Sequence, residues 1–273
     1  MIGSHGDRPT ITAMDLQIVG GGQMGAALAA GVVAAGVCNA ANLCIVELDE
    51  PRRTQLQELI PGVVTAAQPG PADGTVIATK PPHVAVAVRD VVAHQGGTIL
   101  SIAAGVTLTQ LQDAAGADHA VLRAMPNTPA LIGRGASCFT AGAHATAADI
   151  EWAQQLLASV GYVAQVPEHQ LSAVTGVSGS GPAYVFLIAE AMIEGAVAQG
   201  LPRPLAQDLV AATIHGAGEL LAAGNVSPSE LRAQVTSPGG TTAQGLLALE
   251  QRSVRAALME AIDAATRRAN ELS

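Results

Sequence analysis

The sequence predicts an α/β chain: a doubly wound, mostly parallel domain followed by an all-α domain. Three observations carry this reading. From Leu16 to about Val166 short apolar runs alternate with amphipathic ones, which is the pattern of βαβ units around a parallel sheet. A glycine-rich turn, Gly20-Gly21-Gly22-Gln23-Met24-Gly25, ends the first apolar run and opens a helical pattern. Beyond "VPEHQ" (166–170) strand patterns vanish and long helical runs rich in Ala, Val and Leu take over. Right-handed crossovers between the early strands then make a Rossmann-type arrangement the expected one.

In chain order, Leu16–Val19 reads as a strand and Gln23–Ala35 as a helix of small residues. Leu43–Glu47 is a second strand, followed by a charged helix from about Pro51 to Leu59. Thr75–Thr79, Thr98–Ile102 and Ala120–Met125 are strand-like, with helical runs near His83–Ala93 and Thr107–Ala114. Later, Tyr184–Gln199, Pro204–Ala223 and Thr242–Leu272 read mainly as helix, broken at Gly200-Leu201-Pro202 and Gly224-Asn225. The expected division is 1–15 as an N-terminal extension, 16–166 as the doubly wound domain and 167–273 as the helical domain. Three apolar-faced helices are thin for an isolated domain, so burial in a homodimer is expected.

A length of 273 residues suits two modest domains or one large one. Apolar residues at 49% against charged residues at 13% exclude a disordered chain. A formal charge of −9 argues against broad binding to nucleic acid or an anionic membrane. Cys38, Cys44 and Cys138 show neither CxxC nor metal-ligand spacing and fit reduced thiols of a cytoplasm. The start, "MIGSHGDRPTITAMD", lacks the apolar core of a signal peptide. No apolar run is expected to approach the roughly 20 residues needed to cross a bilayer. A cytoplasmic protein with no metal is the resulting expectation.

The glycine turn supplies Gly-x-Gly-x-x-Gly. The first glycine permits a tight turn, the second lets the backbone approach a pyrophosphate, and the third lets helix and strand pack closely. Placed after the first strand, Gly20, Gly21, Gly22, Gln23, Met24 and Gly25 are candidate cofactor residues. Glu47 ends the second strand roughly 20 residues further on, where an acid bonds the adenosine ribose and favours NAD. Arg52 and Arg53 follow within a turn and can meet a 2′-phosphate, although a solvated helix start would carry the same charges. NADPH and NADH both remain open. Ala78, Thr79, Lys80 and Pro81 end another strand, at the edge where ligands of such sheets bind, and Lys80 suits a phosphate or plain solvent. Ala103, Ala104 and Gly105 leave room for a flat ring. Asn127, between two prolines, can bond a carboxamide or stabilise its own turn.

Thr236-Ser237-Pro238-Gly239-Gly240-Thr241-Thr242 packs two glycines, a proline and four hydroxyls ahead of a helical run. Spacing alone favours a capping turn. Consecutive N–H groups at such a turn also form an anion-binding nest without any charged side chain. Ser178–Pro182, "SGSGP", reads as an anion loop or as a helix start with Ser180 as cap and Pro182 in the first turn, and a structural role with partial active-site contact is the favoured expectation.

Together these stretches resemble the pyrroline-5-carboxylate reductase family, from about Leu16 to Leu272. The marks are "GGGQMG" (20–25), "ATKP" (78–81), "RAMPNTP" (123–129), "AVTGVSGSGPAYVF" (173–186) and "VTSPGGTTAQGL" (235–246). The resemblance implies NAD(P)H-dependent reduction of 1-pyrroline-5-carboxylate to L-proline. It also implies a helical dimerisation and substrate domain, an active site shared between subunits, and in many members a ring of dimers up to a decamer. It assigns the substrate carboxylate to the loop of Ser237, Gly239, Gly240 and Thr241, the ring nitrogen to the Thr242 hydroxyl as the catalytic contact, and a substrate-facing position to Glu168. Departures are Gln23 and Thr65, where asparagines are frequent, Glu47, where a small polar residue is common, and Asn225, in the region of a glutamate seen in some members.

A cyclic imine can be protonated before hydride arrives, so positioning supplies much of the catalysis and no strong general acid is required. That fits the absence of a convincing His/Asp or Lys/Glu pair; His215 reads as a packed or surface histidine. A β-hydroxyacid dehydrogenase would want a lysine in the helical half, and no lysine follows residue 167. A non-catalytic dinucleotide-binding dimer is the remaining alternative, and the intact "TSPGGTT" argues against it.

Overall fold

The computed structural model describes residues 16–273; the expected extension at 1–15 lies outside them. The doubly wound part contains β1 (Leu16–Val19), α1 (Gln23–Ala34), β2 (Leu43–Val46), α2 (Glu50–Leu59), β3 (Val64–Ala66), β4 (Gly74–Ile77), α3 (Val84–Ala93) and β5 (Thr98–Ser101). It continues with α4 (Leu108–Ala115), β6 (Val121–Met125), β7 (Gly135–Ala141), α5 (Ala147–Ala158) and β8 (Gly161–Gln165). The sheet runs in the order β3-β2-β1-β4-β5-β6-β7-β8, with only the β6–β7 pair antiparallel. Strand order reverses between β1 and β4, and ligands of open α/β sheets bind in the crevice at such a point.

Alternation along the strands builds two cores. Ile18, Ile45 and Leu122 face one side, with Leu28 and Val32 of α1, Leu56 of α2 and Trp152 of α5. Val19, Val46 and Ile77 face the other, with Val88 and Val91 of α3 and Leu111 of α4. Burial on both faces explains why β1 and β4 are buried at every residue and read as continuous apolar runs. Beyond Met125 no element is expected before the helical half, yet β7 and β8 extend the sheet there with α5 between them; β3 is likewise not expected.

The described residues fall into two compact units, one running to Gly179 and taking in Ala265–Ser273, the other Ser180–Ala264. In the first, α6 (Leu171–Val174) runs into a π-turn over Thr175–Gly179. The second holds α7 (Gly181–Ala198), α8 (Arg203–Ala222), α9 (Pro228–Gln234), α10 (Thr241–Gln251) and the first part of α11 (Val254–Glu271). The expected breaks occur where Gly200 and Gly224 take positive φ. Two further features lay outside the expectation. The stretch expected to run unbroken to Leu272 parts at Ser253, φ 56°, and α9 forms between Gly224 and Thr241, capped by Ser227 and Glu230.

Only Ala206 and Val210 are buried among residues 180–264, while Phe186, Leu187, Leu220 and Met259 are 63–71% exposed. A lone copy of this unit therefore has almost no core. One expectation needs correcting here. The helical stretch Glu168–Ala198 is long and apolar enough to cross a bilayer, with mean hydropathy 1.3 over its best window. Short breaks and small residues concealed that length in the sequence, and none of its side chains after Ser180 is buried on the single chain.

Candidate active site

The first strand delivers the chain to Gly20, whose φ of +111° only glycine adopts readily, and whose N–H donates to Val46 O at 2.8 Å. A Cβ on Gly20 would lie 2.7 Å from Ala78 O, and one on Gly25 2.0 Å from Gly20 O. These two glycines serve the protein's own packing. Gly22 differs: it is the N-cap of α1, no side chain caps it, and a Cβ there meets nothing within 4 Å. The space in front of the uncapped helix start is open, as an approaching pyrophosphate requires.

That opening belongs to a groove of about 600 Å³ at the carboxyl ends of β1, β2 and β4. Gly20, Gly22, Glu47, Ala78, Thr79 and Lys80 line it, with Leu48, Pro69 and His83. It thus gathers candidates from three separate stretches of sequence. Lys80, the chain's only lysine, opens the turn after β4. The Thr79 hydroxyl is buried without a hydrogen-bond partner. The groove's shape, its glycine opening and its mixed polar and apolar lining fit a dinucleotide.

At the end of β2 the charges are tied into the glycine turn. Glu47 Oε2 accepts from Gly21 N at 3.0 Å, and Oε1 accepts from Asp49 N at 3.1 Å. Arg52 Nε donates to Gly21 O at 2.8 Å and its NH1 to Gln55 Oε1 at 3.1 Å. Arg53 NH1 donates to the carbonyls of Glu47 and Leu48. Asp49 caps α2 through Arg52 N. Asp49 and Gln55 were not singled out in the sequence, although an Asp before Glu-Pro is a recognisable helix start.

After β5, Ala103 is buried and Ala104 exposed; Gly105, φ +76°, lies against Leu272, where a Cβ would meet the Leu272 carbonyl oxygen at 2.9 Å. Asn127 is buried and works within the protein: Nδ2 donates to Ser178 O at 3.0 Å and Oδ1 accepts from Ala136 N at 2.8 Å. One amide hydrogen of Asn127 is left for any other partner.

Glu168 Oε1 accepts from Leu108 N, at the start of α4, at 2.7 Å and from Arg123 NH1 at 3.1 Å. The Arg123 side chain is only 9% exposed, that of Glu168 35%. Arg123 lies in "RAMPNTP" yet was given no role. Its signal is a charge inside the otherwise apolar strand VLRAM, since a buried arginine needs an acid.

In the helical unit, Gly239 takes φ +70° and Gly240 is the N-cap of α10, with no side-chain cap. Gly240 N donates to Ser237 O at 3.0 Å, closing the turn, while Thr241 and Thr242 are the first residues of the helix. Thr242 is half-buried. An uncapped helix start preceded by a left-handed glycine presents free N–H groups without a cation.

The expectation of a Ser180 cap is not met. Ser180 has helical φ and ψ and caps nothing, because the backbone arrives from the π-turn already wound. Pro182 does sit in the first turn of α7. His215 lies on α8, 75% exposed and 3.7 Å from Glu219. Among the described residues no cluster of three metal-ligating side chains occurs. Burial pushes the Cys44 and Cys138 thiols up.

Residues 168–272 match the family described as pyrroline-5-carboxylate reductase dimerisation, and residues 15–105 match NADP oxidoreductase coenzyme F420-dependent. The chain is 39% identical over 260 residues to a pyrroline-5-carboxylate reductase of Arabidopsis thaliana, covering 93% of this chain and 94% of that one. To its counterpart from Synechocystis it is 38% identical over 267 residues, covering 95% and 98%. A solved pyrroline-5-carboxylate reductase from Coxiella burnetii superposes with a TM-score of 0.89 at 32% identity, covering 95% and 98%. The Plasmodium falciparum pyrroline carboxylate reductase, solved with NADP bound, gives 0.84 at 28% identity with the same coverage.

Proposed function

This chain belongs to the pyrroline-5-carboxylate reductase family, and from that premise we propose how its residues divide the work. It is an NAD(P)H-dependent oxidoreductase that reduces the C=N bond of 1-pyrroline-5-carboxylate to L-proline, in proline biosynthesis. The cofactor, when bound, supplies the hydride. Gly22 and the N–H groups opening α1 hold the pyrophosphate, and Gly20, Glu47, Ala78, Thr79 and Lys80 line the rest of its groove. Ala103 and Ala104 leave space for the nicotinamide, while Gly105 lets the chain pack against Leu272. The N–H groups of Gly239 and Thr241 take the substrate carboxylate, Gly240 holds the turn closed on Ser237 O, and the Thr242 hydroxyl bonds the ring nitrogen. Glu168 fixes Arg123 and the start of α4, and so positions the site.

One observation carries the reading. A single chain holds both a dinucleotide groove opened at Gly22 and a hydroxyl-rich, uncapped helix start at Gly240. An imine protonated in solution needs orientation more than a strong acid, and neither feature supplies one. The cofactor-binding part is placed at 16–166 and the dimerisation and substrate part at 167–273, which the match at 168–272 supports. Self-association covers the apolar faces of α7, α8 and α11 in a homodimer, with higher rings of dimers up to a decamer. The enzyme works in the cytoplasm, with no membrane or nucleic acid as partner.

The test is steady-state reduction of 1-pyrroline-5-carboxylate with NADPH and with NADH, following both cofactor oxidation and L-proline. Tight cofactor binding with no proline formed would leave the non-catalytic dimer as the correct reading.

A further inference from the structure

We propose that Glu47 sets the cofactor preference: its carboxylate receives the adenosine ribose diol of NADH and excludes the 2′-phosphate of NADPH. The inference rests on the reductase reading only in taking the groove as a dinucleotide site. Both Glu47 oxygens are held, one by Gly21 N and the other by Asp49 N, so the carboxylate cannot swing out of the groove it lines. Each oxygen keeps a lone pair, and a 2′,3′-diol has two O–H groups to donate to them. A phosphate monoester carries about −1.5 to −2 charges and only acceptors, so it meets Glu47 by repulsion.

The neighbouring charges decide the sign. Asp49 and Glu50 stand next to Glu47 and add to the negative side. Arg52 and Arg53 are the cations at hand, and each is anchored to the turn by part of its guanidinium: Arg52 by Nε to Gly21 O and by NH1 to Gln55, Arg53 by NH1 to the carbonyls of Glu47 and Leu48. Their work is to hold the turn that holds Glu47. Lys80 follows β4, two strands from β2 in the sheet, which puts their ends about 10 Å apart. A 2′-phosphate therefore finds a fixed acid where a phosphate reader would place free guanidinium groups.

The experiment measures binding as well as turnover. Dissociation constants of NADH and NADPH, and of the fragments 5′-AMP and adenosine 2′,5′-bisphosphate, are determined for the native protein and for Glu47→Gln. The glutamine keeps an acceptor for Gly21 N, gives up the one for the exposed Asp49 N, and loses the charge. The native protein should bind NADH at least tenfold more tightly than NADPH, with the fragments in the same order. Glu47→Gln should narrow that ratio by gaining affinity for the phosphorylated forms, with the cofactor-free melting temperature lowered by no more than a few degrees through the lost Asp49 N bond. NADPH bound as tightly as NADH, or a ratio unmoved by Glu47→Gln, overturns the proposal; preference for NADPH would assign the reading to Lys80 or the arginines instead. Failure to reduce pyrroline-5-carboxylate with either cofactor would count against the catalytic reading alone, because the binding constants decide this one.

Discussion

Replacing Gly22 by valine separates a residue kept for the ligand from residues kept for the fold. The backbone at Gly22, φ −66° and ψ −171°, is open to any amino acid, and a Cβ there meets nothing within 4 Å. The protein alone should lose at most about 1 kcal/mol, the cost of a poorer N-cap. At roughly 2–4 °C per kcal/mol, the melting temperature moves by only a few degrees. A valine in the space in front of α1 displaces the pyrophosphate from its backbone donors. One charge-assisted hydrogen bond is worth about 1.5–3 kcal/mol, so the Kd for NAD(P)H should rise by about one to two powers of ten. Gly25→Ala is the contrasting variant. Its Cβ would sit 2.0 Å from the backbone oxygen of Gly20, so the strand-to-helix turn must shift, at about 1–3 kcal/mol or more. Cofactor fluorescence titration and thermal unfolding on both variants make the comparison. An unchanged Kd in a folded Gly22→Val protein would show that the pyrophosphate does not lie there, and the groove assignment would go with it.

Glu168→Ala strands the nearly buried Arg123 guanidinium and the N–H of Leu108; the partial exposure of Glu168 discounts the full buried-pair cost to about 2–3 kcal/mol. Urea unfolding measures this, and Glu168→Gln, which keeps an acceptor, should lose distinctly less; equal losses would place the effect in something other than the pair. Thr242→Ala should lower kcat/KM about tenfold or more, roughly 1.4 kcal/mol, with cofactor Kd unchanged, and unaltered kinetics in a folded variant would remove Thr242 from the mechanism. Burial alone would raise the Asp149 carboxyl, but hydrogen bonds from Thr98 and Thr146 outweigh it and hold its pKa below the ordinary value. Its stabilisation is present above the unfolded-state value, about 3.9, and is lost as pH falls through the lower folded-state value. The stability gap between the native protein and Asp149→Asn should be constant above about pH 5 and shrink in acid; a gap that widens in acid contradicts this sign.

Much of the doubly wound architecture was legible because burial on both faces writes itself as continuous apolar runs. Leu16–Val19 was bounded to the residue, and the β2, α2 and β6 readings each lay within a residue of the observed ends. β3 is three residues at a sheet edge, and β7 mixes Gly, Ser, Cys and Thr where it turns antiparallel, so neither carries a clean period. α9 was missed although its capping box, Ser227 with Glu230, stands in the sequence, because seven residues are too few for a helical face to repeat. Backbone conformation was legible where geometry demands a residue type, as at Gly20 and Gly239, both of which take positive φ. Pairings over long sequence separations, Arg123 with Glu168 and Arg52 with Gly21, leave no periodic trace. What the sequence offered there was only an unexplained charge in an apolar strand.

The scarcity of buried side chains in the helical unit reaches beyond architecture to the order of events in synthesis. The sheet and its flanking helices carry their own core on one chain. If the proposed homodimer supplies the core that the helices after Gly179 lack, completing the fold is a bimolecular step governed by mass action. Its rate rises with the square of subunit concentration. Dilution should then melt the helices before the sheet, and a subunit damaged only in those helices would compromise the healthy copy that pairs with it.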